Sequence, residues 1–108
     1  MAADQPRIDL SPAQWGIVQD ILSRHAPGHE VWAFGSRARL TAKPHSDLDL
    51  VVISREPLAL PELAVLCEAF QESDLPFKVD VVDWASTAEA FRRVIEAERV
   101  VLRGGAGG

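Results

Sequence analysis

At 108 residues the chain has room for one hydrophobic core and too little length for a second, separate substrate domain. Its net charge of −5 excludes a surface that binds polyanions non-specifically over its whole extent. Cys67 is the single cysteine, so no disulfide can form within the chain, and no apolar run reaches the roughly 18 residues of a membrane-spanning helix.

Residues 1–9 are polar and are expected to be loose. They carry no basic start followed by an apolar stretch, so the cytoplasm is the expected compartment. Ser11 and Pro12 open the first helix: Ser11 can cap, Pro12 suits the first helical position, and Gln14 can complete a capping box. Trp15, Val18, Ile21 and Leu22 recur at helical spacing, and the helix should stop near Ala26, before Pro27 and Gly28. Val31–Phe34 reads as a buried strand, Gly35-Ser36 as a turn and residues 37–40 as one short helical turn. Thr41–Ser46 is loop, because Pro44 bars regular structure, and Asp47–Ser54 is the second strand.

Pro61 opens another helix, with Leu63, Leu66, Cys67 and Phe70 facing inward and an end near Ser73. The Cys67 thiol is expected to be buried and inert. Phe77–Asp83 is the third strand. Ser86 followed by Glu89 has the form of a second capping box, ahead of a last helix marked by Phe91, Val94 and Ile95. Arg92 and Arg93 read as a solvated face of that helix, and Trp15, Trp32 and Trp84 as packing residues. Val100–Leu102 fits either a continuation of the helix or a short edge strand. Residues 104–108 are a glycine-rich tail expected to be disordered, which leaves 1–103 as a single domain. The order of elements predicts an α/β domain, a small mixed β-sheet packed with helices.

The acids are unusual. Residues i and i+2 of a strand face the same way, so Asp47 and Asp49 project together about 7 Å apart, with Leu48 and Leu50 turned to the other face. At an effective dielectric of about 20 their repulsion is on the order of 2 kcal/mol before screening. A divalent cation would balance it, and hard oxygen donors suit Mg²⁺ or Mn²⁺. Asp80 stands in mid-strand between valines, and three carboxylates from two neighbouring strands can hold two metal ions about 3.5–4 Å apart. Taken singly, Asp47 could merely open a strand and Asp49 could face solvent. Asp83 has the opposite parity to Asp80 and reads as a solvated or turn residue. His25, His29, His45 and Cys67 share no zinc-ligand spacing.

Between Ser36 and Ser46 lie Arg37, Arg39, Lys43 and His45 with no acid, a local positive loop suited to a small anionic ligand. Gly35-Ser36 follows a strand and precedes a helical turn, where free N–H groups and a hydroxyl can hold an anion. Such turns are common alone. This one is joined to a basic loop and to an Asp-Leu-Asp eleven residues beyond Ser36.

Gly35-Ser36-Arg37-Ala38-Arg39 followed by Ser46-Asp47-Leu48-Asp49-Leu50 resembles the signature of the polymerase-β-like nucleotidyltransferase superfamily. Within it the chain most resembles, over nearly its whole length, the minimal nucleotidyltransferase (MNT) proteins, antitoxin-type partners of HEPN-domain toxins. The resemblance implies a polymerase-β-like core. It implies that Gly35 and Ser36, with Arg37 and Arg39 nearby, bind nucleotide phosphates. It further implies that Asp47 and Asp49 bind two Mg²⁺ ions, with Asp80 as third metal-site carboxylate and general base. The implied reaction moves AMP from ATP to a hydroxyl, that of a tyrosine, on a HEPN toxin. Nucleic acid is not expected as a direct partner. A subunit that neutralises its partner by contact alone is the alternative. The chain departs from the pattern at Leu40, where the family motif usually has glycine. If that position needs a left-handed backbone, leucine costs roughly 1–2 kcal/mol.

Overall fold

A computed structural model of the protein describes residues 5–104. Its frame is the antiparallel pairing of β1 (Glu30–Phe34) with β2 (Leu48–Ile53), from Glu30 opposite Ile53 to Phe34 opposite Asp49. β3 (Val79–Asp83) adds to β2 in parallel, and β4 (Val100–Arg103) adds to the free edge of β1 antiparallel. The sheet order is therefore β3-β2-β1-β4, a mixed sheet as expected. The ambiguous Val100–Leu102 run is an edge strand.

The two faces of the sheet are covered unequally. Val31, Ala33, Leu48, Leu50 and Val52 point to one face, where they meet Trp15, Val18, Ile21 and Leu22 of α1 (Pro12–His25) and Leu66 and Phe70 of α2 (Leu60–Gln71). Trp32, Phe34 and Val51 point to the other, where Ile95 of α3 (Glu89–Glu98) is the fully buried contact. Phe91 and Val94, which mark this helix in the sequence, do not turn fully inward. Both are about half exposed, although Phe91 keeps an edge-to-face contact with Phe34, centroids 5.6 Å apart. One short helix covers this face, so part of it stays open beside β2 and β3.

Local chemistry places the helices. Ser11 Oγ accepts the Gln14 N–H at 3.1 Å while Gln14 Oε1 accepts the Ser11 N–H at 2.9 Å, the expected reciprocal cap. The second expected box does not form. Asp83 Oδ2 takes the Ser86 hydroxyl at 2.9 Å, Trp84–Ser86 close into a 3-10 turn, and α3 begins after Ala88 without a side-chain cap. Arg92 is likewise not a solvated residue: its guanidinium donates to the Trp84 carbonyl and lies over the Trp84 ring. Trp84 packs edge-to-face on Trp32, centroids 5.3 Å apart.

The N-terminal segment departs furthest from expectation. Ile8 and Leu10 are core residues, and the Asp9 N–H donates to the Arg37 carbonyl at 2.9 Å, so residues 5–10 are tied down. Residues 1–4 and the glycine tail 105–108 lie outside the described residues. Among the described residues no helix is long and apolar enough to cross a membrane.

Asp83 is not solvated either. It is 7% exposed, and Oδ2 accepts the Leu58 N–H at 3.1 Å as well as Ser86. A buried carboxylate with two donors braces the entry to α2. Asp83→Ala should lower unfolding stability by about 2–4 kcal/mol in urea titration, while Asp80→Ala, on the exposed side of the same strand, should change it by under about 1 kcal/mol. Equal losses would mean that Asp83 has no bracing role.

Candidate active site

The end of β1 sets the site. At Gly35 the chain leaves the sheet with φ of +78°, and residues 35–40 close one helical turn. The Arg39 N–H donates to the Gly35 carbonyl at 3.0 Å, and the Thr41 N–H to the Ser36 carbonyl at 2.9 Å. Among the described residues, no hydrogen bond takes up the N–H of Ser36, Arg37 or Ala38. These are the leading donors of a turn and are free to be used by an anion. Glycine at 35 is required twice over. The positive φ strains any other residue, and a Cβ there would collide with the Asp49 carboxylate. Leu40 also has a positive φ, +63°. The turn keeps its left-handed exit, and leucine bears the strain that glycine would not.

The sheet brings the acids to this turn. Asp49 is directly opposite Phe34 across the antiparallel ladder and directly beside Asp80 in the parallel one. Both carboxylates share the face of Val51 and Val82, the half-open α3 side, and Asp47 precedes β2 with the same parity. Burial pushes the Asp49 carboxyl up to about 6; the negative charges of Asp80, Asp47 and Glu98 add to the effect, and Arg39 opposes it. Among the described residues no three acidic, histidine or cysteine side chains are placed to hold a metal ion together. The donor set nonetheless suits a hard divalent cation. All the donors are oxygens, and Asp49 sits half-buried in a surplus of negative charge that such an ion would offset.

The basic residues divide. Arg37 was expected at the nucleotide and is instead structural. It is 5% exposed, and its guanidinium donates to the carbonyls of Asp9 (2.7 Å), Pro44 (3.0 Å) and Ser46 (3.0 Å) while lying 3.8 Å over the Phe77 ring. Its planar fork suits this use better than any other side chain, and the carbonyls leave it little donor capacity for a phosphate. It shapes the Thr41–Ser46 loop with help from Asp9, whose Oδ2 accepts the Ala42 N–H at 3.1 Å. Arg39 lies at the rim, half-exposed, with Nη1 2.7 Å from Glu98 Oε2. Lys43 and His45 stay exposed on the loop.

Glu98 was missing from the sequence-based set. Its other oxygen, Oε1, accepts the Gly35 N–H at 3.0 Å. The signal that could have found it is pairing register. Val100 is opposite Ala33, so two steps further along the antiparallel line residue 98 meets residue 35. Cys67 is half-buried in the wall of a cleft of about 620 Å³ beside Asp80, and burial and the Asp80 charge push its thiol up, keeping it protonated. The open sheet face thus carries clustered carboxylates next to a turn with free anion donors, an arrangement able to grip a phosphate chain and a cation together.

Comparison with known proteins agrees. The family described as Polymerase beta, Nucleotidyltransferase matches residues 17–104. A protein of Haemophilus influenzae described as probable protein adenylyltransferase MntA is 47% identical over 97 residues, covering 90% of this chain and 85% of that protein. Among solved structures, a toxin-antitoxin with AMP-PNP superposes with a TM-score of 0.71 at 22% identity, over 86% of this chain and 75% of the other. A complex of tri-AMPylated Shewanella oneidensis HEPN toxin with MNT antitoxin gives 0.61 at 19% identity, again over 86% and 75%. At these identities the superpositions establish the fold.

Two outcomes follow from the geometry. Leu40→Gly relieves left-handed strain at a surface position, and should stabilise the protein by about 0.5–1 kcal/mol in chemical denaturation; a loss would mean that the leucine side chain's contacts outweigh the strain. The second concerns pH. The folded Asp49 carboxyl is raised from 3.8 to about 6, so its contribution favours folding in acid and is lost as pH rises through about 6. Asparagine does not ionise. With chelator present, Asp49→Asn should therefore melt about 2–4 °C above wild type at pH 7.5, allowing for solvent screening, and the gap should close toward pH 4. A gap independent of pH would show that Asp49 ionisation does not strain the fold.

Proposed function

The chain belongs to the polymerase beta nucleotidyltransferase family, and we propose that it is an antitoxin-type protein adenylyltransferase, moving AMP from ATP to a hydroxyl of a HEPN-domain toxin. The observation that carries this reading is the 47% identity, over 90% of the chain, to a protein described as a probable protein adenylyltransferase. The fold shared with toxin-antitoxin complexes, one with AMP-PNP and one with an AMPylated toxin, supports the donor and the acceptor. We take residues 1–103 as its single domain and the cytoplasm as its compartment.

In the proposed reaction the acceptor oxygen, that of a tyrosine by family resemblance, attacks the α-phosphorus of ATP in line. The bond from that phosphorus to the bridging oxygen of the β-phosphate breaks and pyrophosphate leaves. The hydroxyl proton passes to Asp80, which stands exposed on β3 beside Asp49. Asp47, Asp49 and Asp80 would hold Mg²⁺, with Mn²⁺ as a substitute and two ions at full occupancy, supplying charge neutralisation at the phosphates. The Ser36 hydroxyl and the free N–H groups that follow it orient the phosphate chain, and Arg39 adds charge at the rim. Arg37 acts at a distance, by holding the loop that leads into Asp47.

Co-expression with a HEPN-domain partner toxin, followed by intact-mass analysis, is the test. The partner should gain one or more AMP units. Asp47→Asn and Asp80→Asn should each reduce transfer by more than about 100-fold with the complex still formed. A partner that is bound and silenced but never modified would instead support neutralisation by contact alone.

A further inference from the structure

The structure assigns Glu98 as the positioning residue of the nucleotide-binding turn: one carboxylate holds the Gly35 N–H and the Arg39 guanidinium at once, and so sets both the backbone turn and the rim cation. This rests on the nucleotidyltransferase reading of that turn. Its side chain is 18% exposed, with Oε1 3.0 Å from the Gly35 nitrogen and Oε2 2.7 Å from Arg39 Nη1. Both oxygens are committed, which separates Glu98 from Asp47, Asp49 and Asp80, none of which accepts a hydrogen bond from a described residue.

Its place in the chain gives the contact its strength. Glu98 is the last residue of α3, two before β4, and β4 is pinned to β1 from Val100 opposite Ala33 onward. The carboxylate is thus anchored from behind by the edge strand. It meets Gly35 one residue past the end of β1, where the N–H is outside the strand. An acid here is otherwise unfavourable, because it adds negative charge beside Asp49. Only the two bonds it makes offset that, so the position calls for a bidentate acceptor rather than for a generic polar residue.

The arrangement also reassigns the donors. With its own N–H held by Glu98, Gly35 serves phosphate by close approach, and donation falls to the Ser36 hydroxyl and the N–H groups of Ser36, Arg37 and Ala38. Arg39 reaches the rim in a fixed orientation instead of sampling solvent. Glu98 touches neither reacting atom. It acts through Gly35 and Arg39.

The test uses the complex with the HEPN partner and three variants. Glu98→Ala should raise KM for ATP about tenfold and lower kcat less. Glu98→Gln keeps an oxygen for the Gly35 N–H but turns an amide donor toward Arg39, so its KM for ATP should fall between those of wild type and Glu98→Ala. Glu98→Asp, one methylene shorter, cannot span both partners and should resemble alanine. Amide hydrogen exchange at Gly35 should be slow in wild type and Glu98→Gln and fast in Glu98→Ala. Unchanged KM and kcat in Glu98→Ala, with only a lower melting temperature, would overturn the assignment and leave Glu98 a mere edge staple. A lower KM would also overturn it, since the carboxylate would then be a competitor of phosphate. If the wild-type complex transfers no AMP, the adenylyltransferase reading fails on its own. Gly35 exchange then decides the positioning role: acceleration in Glu98→Ala supports it, and an unchanged rate overturns it.

Discussion

The close approach of Gly35 to the Asp49 carboxylate is the constraint on which the rest of the site depends. It follows from one register, Phe34 opposite Asp49, in the β1–β2 pair. That register places the last residue of a buried strand against a carboxylate and leaves no room for a Cβ on the next residue. A one-residue slip of β2 would send Asp49 to the α1–α2 face among leucines and valines, where an unpaired charge is costly. The hydrophobic alternation of β2, with Leu48, Leu50 and Val52 fully buried, forbids that slip. Core packing thus aims the acids, and the acids in turn demand the glycine.

A second set of interactions holds the turn from outside. Arg37 draws the carbonyls of Asp9, Pro44 and Ser46 to one planar group and seals the cluster with the Phe77 ring. Its charge is kept in a nearly closed environment because every acceptor is matched in direction. Glu98 does the complementary work on the other side with an acceptor-only group. Between them the segment from Gly35 to Ser46 is shaped by one buried cation and one partly buried anion. A loop preorganised this way loses little entropy when a ligand arrives.

Much of this was legible in the sequence, and what was not shares a cause. Helical spacing found α1 and α2, and strand parity put Asp49 and Asp80 on one face, because both depend only on local periodicity. The Gly-Ser turn with its Asp-Leu-Asp pointed to the family. Arg37 was misread because a basic residue in an acid-free loop looks like an anion grip until Asp9 is seen to reach it from 28 positions away. The Ile8-Asp9-Leu10 alternation was a signal of burial that polarity alone concealed. Glu98 and Asp83 were hidden for the same reason. Each is defined by a partner distant in sequence, Gly35 for one and Leu58 for the other. Ser86 could not cap α3 because Asp83 had already taken its hydroxyl.

The electrostatics of the site bear on how its ligands would bind. The chain has a net charge of −5 and gathers Asp47, Asp49, Asp80 and Glu98 around one turn. Burial and neighbouring acids hold the Asp49 carboxyl at about 6, so near neutrality it is ionised against the preference of its surroundings. A triphosphate approaching alone would add to that repulsion, and the free N–H donors of the turn are too few to offset several negative charges. A cation arriving alone would meet carboxylates of which no three, among the described residues, are placed to hold it together. Each ligand lacks what the other supplies. On the proposed adenylyltransferase reading, a nucleotide and a divalent cation would therefore bind better together than either by itself. Affinity for ATP should accordingly depend on the cation far more steeply than the number of direct protein–phosphate contacts would imply, and that coupling should disappear in step with the charge at Asp49.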